Sequence, residues 1–318
     1  MKIFGKAVYM NPIMKKEMRI GARSFRFPAA MMLYSLFMTI VVFGMMVVAG
    51  ILNGSSPTAL IDYTVFTAAF LIFAFLQAGI ICLIMPAMTA GSISTEREKQ
   101  TLDLMLSTPI TPFSIMLGKL GSAMMEVLMF TFCSLPAMAV CFLYGGIQWP
   151  NLIAFVVGIM LLAFFVGAAG IWSSALFQKT ILSILFTMLT ELVFFALGPG
   201  LMLGVYIYQY SHSYALLGYG AVANLGILPV LLLFNPAFTF AQSFLYFCNG
   251  TNLASYVITD GLDGTIKSAK ILEGLVPIWI PLSVAILVLM GLGFLLAAAG
   301  RVDGNRRKSL KIGKDKKH

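Results

Sequence analysis

Residues Gly91–Lys119 read G-S-I-S-T-E-R-E-K-Q-T-L-D-L-M-L-S-T-P-I-T-P-F-S-I-M-L-G-K, and five charges crowd between Glu96 and Asp103. The run before them, Tyr63 to Thr95, is uncharged. Thr95 followed three residues later by Glu98 has the spacing of a capping box, which predicts a helix starting at Thr95. Leu102, Met105 and Leu106 share one face of that helix, with Glu98 four residues upstream of Leu102 on the same side. Pro109 and Pro112 stop it, because each pushes the preceding Thr out of helical geometry. Thr111 and Pro112 then suit the N-cap and first position of the next helix.

What surrounds this stretch is apolar. Of the 318 residues 60% are hydrophobic and 10% charged, and the mean hydropathy is +0.94. A water-soluble core of that composition would have nothing to cover it. Several uncharged runs exceed the ~20 residues needed to cross a bilayer. The class is an all-α polytopic membrane protein, one integrated bundle over residues 1–300 followed by a basic tail, 301–318.

Six spans follow from the pattern: about 28–52, 63–89, 112–143, 151–177, 181–207 and 276–300. Lys2–Phe27 alternates basic and apolar residues as an interfacial helix does. Tyr144, Trp149, Trp172 and Trp279 stand near span ends, where interfacial aromatic belts form. Pro86 is expected to kink the second span near one end. Residues 208–275 are harder to read, because Tyr214–Phe234 is apolar enough to cross while Pro236–Phe247 is too short. Charge sets the parity. Residues 1–28 carry seven Lys/Arg and the tail from Arg301 carries eight. Six spans place both clusters in the cytosol and leave only Lys267 and Lys270 outside, as the positive-inside rule requires. The region 208–275 is then external, with one or two re-entrant or interfacial helices. Eight spans, with Asn235-Pro236 in a tight inner turn, is the alternative.

The net charge of +9 is therefore a topology signal and not a nucleic-acid footprint, and binding to anionic lipids of the bilayer is compatible with it. No nucleic-acid partner is expected.

Pattern alone allows the charged loop to be a solvated helix lying on headgroups. A resemblance says more. Ile93–Thr111, I-S-T-E-R-E-K-Q-T-L-D-L-M-L-S-T-P-I-T, followed by Gly118-Lys119, resembles without a gap the permease subunits of ABC-2 type transporters. Asn11–Arg19, N-P-I-M-K-K-E-M-R, resembles more loosely the interfacial helix that opens the same family. The resemblance implies that the loop is a cytosolic coupling helix seated in a groove of a separate ABC ATP-binding subunit, with Glu96, Arg97, Glu98, Thr101, Leu102, Met105 and Leu106 at the contact. It implies a permease, an exporter, in the cell (cytoplasmic) membrane. It implies a second permease protomer, as homo- or heterodimer, and ATP and Mg held by the partner subunit. No cofactor is expected on this chain.

The chemistry of the sequence agrees by what it lacks. There is no G-x-x-x-x-G-K-[ST] to cradle phosphates and no H-E-x-x-H or G-x-S-x-G. An assembly or scaffold membrane protein without an ATPase partner is the rival reading.

Two acids fall inside spans, Glu126 and Glu191. A mid-bilayer carboxylate costs roughly 2.5–3.5 kcal/mol on insertion scales, so such groups face a bundle interior or a cavity. Ser183, Thr187, Thr190 and Glu191 form a polar stripe at helical spacing, and Glu126 follows Ser122 by four. Each acid can be a hydrogen-bonded strut between helices or part of a polar transport route. In ABC-2 permeases the second and fifth spans wall a shared cavity, which by resemblance adds Gln77 to Glu191, Thr187 and Glu126 as candidates for the translocation path.

Overall fold

The structure, a computed structural model, describes residues 14, 15, 17, 25–53, 63–101, 111–143, 148–217, 223–255, 257–258, 266–268, 272 and 274–315. Six long helices carry the spans: α1 Arg26–Asn53, α2 Tyr63–Thr89, α4 Pro112–Leu143, α5 Trp149–Leu176, α6 Thr180–Leu217 and α8 Trp279–Asp315. All six are long and apolar enough to cross a bilayer. Helices are what such a sequence must form there, since lipid offers no partner to a free backbone N–H or C=O. A short helix α3, Ser94–Glu98, follows α2 after a turn, and α7, Pro236–Asn249, precedes the last span. The chain is an all-α polytopic membrane protein.

Helix α5 sits at the centre and touches α2, α4, α6, α7 and α8. Its sequence permits this, because small residues let neighbours approach. A Cβ at Gly167 would stand 2.5 Å from Met85 Cε and 2.6 Å from Leu120 Cδ1, and one at Gly170 would collide with the Thr89 side chain. Farther along, Gly158 leaves room for the Phe240 ring, which stacks on Phe244 at 5.7 Å between centroids. Phe70 and Phe155 pack against Phe244 of this pair and against each other. Helix α1 is peripheral. It buries Tyr34, Met38 and Val42 and leaves Met32, Leu33, Leu36, Phe37, Ile40 and Phe43 exposed, as a lipid-facing span should. Ser35 Oγ donates to the Cys133 carbonyl at 3.1 Å, one turn before Pro136 interrupts the ladder of α4.

Between α6 and α8 the chain departs from a plain crossing. Helix α6 continues to Leu217, a full ten residues past the expected end of the fifth span. A 3-10 helix, Leu228–Phe234, then meets α7 at an angle of 88° about Asn235. The pair forms a sharply bent helical hairpin, and among the described residues Tyr214–Phe234 is not one continuous helix, since α6 ends at Leu217 and the 3-10 helix starts at Leu228. A parallel pair of short strands, β1 Ala223–Gly226 and β2 Ile266–Ser268, brackets the hairpin with Ala223 opposite Ile266 and Asn224 opposite Lys267. Hydropathy gave no sign of it. Leu232, Leu233, Ile258, Leu272 and Trp279 make a small core beneath. Helix α8 runs on through Asp315, so the basic tail from Arg301 continues the last span as helix.

Candidate coupling site

The first turn of α3 differs from the expected capping box. Its N-cap is Ile93, without a side-chain cap of its own, and Thr95 lies inside the helix. The free amides of Ile93 and Ser94 instead donate to Ser174 Oγ, at 2.8 and 2.9 Å, from the last turn of α5. A hydroxyl from another helix thus does the work assigned to Thr95 and Glu98. The helix also ends sooner than expected. It stops at Glu98, and Gln100 takes a positive φ of 57°. Thr101 is exposed and non-helical, its N–H donating to the Glu96 carbonyl at 2.9 Å. Leu102, Met105 and Leu106 lie outside the described residues. The chain re-enters helix where expected, at Pro112, with Thr111 Oγ1 accepting from Ser114 N at 3.4 Å.

Thr95, Arg97 and Glu98 all turn toward the α5–α6 turn. Thr95 Oγ1 lies 3.1 Å from Thr180 Oγ1. Arg97 donates to the carbonyls of Phe177 at 3.2 Å and Ala175 at 3.4 Å, the unpaired acceptors at the end of α5. Glu98 Oε1 accepts from Thr180 N at 2.7 Å, the first amide of α6. A cation therefore sits at a helix C-terminus and an anion at a helix N-terminus, the arrangement each macrodipole favours. Four of the five residues of α3, Ser94, Thr95, Arg97 and Glu98, thus brace two long helices at once.

Glu96 points the other way, to Lys119 of α4 at 2.8 Å. The lysine is buried, its side chain only 4% exposed, and it spends its three protons on Glu96, the Ser92 carbonyl at 2.6 Å and Glu17 at 3.2 Å. Glu17 also accepts from Ser122 Oγ at 2.5 Å. A buried ammonium is tolerable only with such partners. Beside it opens a cavity of about 330 Å³ lined by Glu17, Met88, Ser92, Lys119, Ser122, Ala123 and Glu126. One node thus ties the N-terminal segment, the α2–α3 turn and α4.

Sequence reasoning singled out neither Glu17 nor Lys119. Lys119 nevertheless carried a signal, as a cation eight residues into an apolar helix. Ser174 and Thr180 carried no such signal. Their role depends on a contact about 80 residues away in sequence.

The candidates for a translocation path lie in three places. Gln77, fully buried, donates to Thr131 Oγ1 at 3.1 Å and accepts from Ser134 Oγ at 2.9 Å, joining α2 to α4. Thr187 hydrogen-bonds Ser173 and donates to the Ser183 carbonyl at 2.8 Å, joining α6 to α5. Glu191, one turn farther, is 6% exposed, and its Oε1 is buried with no hydrogen-bond partner among the described residues. Glu126 lines the cavity beside Lys119, as Glu17 does.

Residues 53–299 match the family described as ABC-2 family transporter protein, a match that takes in every span from α2 to the membrane part of α8. No curated protein matches the chain. The matched segment, the six crossing helices and the braced α2–α4 connection agree: the chain belongs to the ABC-2 family and is a membrane-spanning permease subunit of an ABC transporter.

Proposed function

We propose that this permease works as an exporter in the cell membrane, driven by ATP that a separate ATP-binding subunit holds with Mg and hydrolyses. That subunit docks on the α3 segment and the residues after it, Glu96 to Leu106, from the cytosolic side, where both termini also lie. Two permease protomers, identical or related, share the route. Closure of the ATP-binding subunits pushes α3, and the push reaches the spans by two polar links. Arg97 and Glu98 carry it to the α5–α6 turn; Glu96 carries it through Lys119 to α4, which Lys119 also ties to Glu17. Glu191 and its neighbours Gln77, Thr187 and Glu126 belong to the polar lining that opens during the cycle.

The observation that carries this reading is the pairing of Arg97 with the end of α5 and Glu98 with the start of α6. A loop with no mechanical duty has no need to cap both helices of a neighbouring turn. Docking and transmission separate in experiment. In a purified complex with the ATP-binding subunit, Leu102→Asp is expected to weaken association. Arg97→Ala is expected to keep association and lose the part of ATP hydrolysis that depends on the permease. Full permease-dependent hydrolysis in the Arg97→Ala complex would refute transmission through this link.

A further inference from the structure

Helix α6 contains Pro199, which has no N–H to give the carbonyl four residues back, at Phe195. Inside a span such an orphan acceptor must find a donor within the protein. The donor is Asn235. Its Nδ2 reaches the Phe195 carbonyl at 2.9 Å, while its Oδ1 accepts from Phe238 N at 3.0 Å as the N-cap of α7. Asn235 is 2% exposed and stands at the 88° break between the 3-10 helix and α7. Next to the proline, Gly198 leaves the space this contact needs, since a Cβ there would lie 3.3 Å from Leu232 Cδ2 and 3.5 Å from the Leu231 backbone. On its other side the hairpin is seated on α5, where Phe240 fills the space over Gly158.

We propose that Asn235 is a positioning residue that latches the bent hairpin to the proline break of α6, so that the bend of α6 and the place of the hairpin change together. The hairpin grips α5 and α6, the same two helices whose other ends α3 braces. It therefore reads, far from the ATP-binding subunit, what happens at the α5–α6 turn. The direction of that signal rests on the function proposed above; the latch does not.

The latch is tested without nucleotide. Asn235→Ser keeps a capping hydroxyl but is too short to reach Phe195. In the otherwise native chain it is expected to lower the thermal unfolding midpoint by about 2–4 °C. In a Pro199→Ala background a backbone N–H becomes available to the Phe195 carbonyl, and the same change is expected to cost little. Equal losses in both backgrounds, or no loss in either, would overturn the latch and leave Asn235 a helix cap only. The transmission is tested in the complex with its ATP-binding subunit, through alkylation of Cys248, half-buried near the end of α7. Its rate is expected to change with ATP in the native chain and to stop responding in Asn235→Ser. A response that survives Asn235→Ser would overturn the coupled movement. A native chain in which ATP alters neither Cys248 nor the α3 end would instead refute the proposed function, with the stability result standing apart.

Discussion

Lys119 pairs with the carboxylates of Glu17 and Glu96, and its removal would leave both without their cation, Glu17 in the lining of the cavity. Losing one partner of a buried pair costs about 3–5 kcal/mol. Glu17 and Glu96 remain 33% and 28% exposed, so Lys119→Met is expected at or below the lower end of that range. Adding Glu17→Gln and Glu96→Gln should restore most of the thermal stability; a triple variant no better than Lys119→Met would show the lysine to act by packing. Glu191 poses the opposite case, a carboxyl whose Oε1 is buried and unpartnered among the described residues. A group retained at that cost is expected to serve transport. Glu191→Leu should then keep or raise the unfolding midpoint, while ATP-dependent transport in vesicles falls for both Glu191→Leu and Glu191→Gln. Destabilisation by Leu with normal transport by Gln would make Glu191 a strut. Both acids in spans were legible from the sequence because charge in an apolar run stands out. Which partner each finds was not, since that depends on helices far apart in the chain.

At the scale of elements, the brace depends on how closely α2 approaches α5. Thr89 occupies the space where a Cβ on Gly170 would go, and the Ala90 amide lies 3.3 Å from the same point. That contact sets the height at which the Ala90–Ile93 turn presents α3 to Ser174. Gly170→Ala is expected to destabilise by about 1–3 kcal/mol, the usual cost of overpacking. It should also reduce permease-dependent ATP hydrolysis more than an equally destabilising change elsewhere, and Thr89→Ala should partly restore both. A loss of stability with hydrolysis unaffected would detach the contact from coupling. The six spans and the start of α4 at Pro112 were readable because length, apolarity and proline placement are local. The capping box at Thr95 was misread for a physical reason: a serine from α5 outcompeted the local cap. The strand pair and the Asn235 latch escaped notice because each joins segments that no local pattern connects.

For the whole molecule, six helices among the described residues are long and apolar enough to cross, and an even number of crossings is expected to return the chain to the face it started from. Single cysteines at positions 267 and 312 are expected to label from opposite sides with an impermeant reagent, 267 from outside; labelling from one side would contradict the six-span arrangement. Helix α3 and the α5–α6 turn are expected to move as one body when the ATP-binding subunit pushes. The Thr95 and Thr180 hydroxyls lie 3.1 Å apart, close enough for a cross-link between residues 95 and 180 to test it. The most direct measurement is ATP hydrolysis by the assembled complex carrying Thr95→Cys and Thr180→Cys in a background free of other cysteines, before and after oxidation. The cross-link is expected to form and to leave permease-dependent hydrolysis unchanged. Loss of that hydrolysis on oxidation, regained on reduction, would mean that α3 must slide against the turn, and would contradict the account.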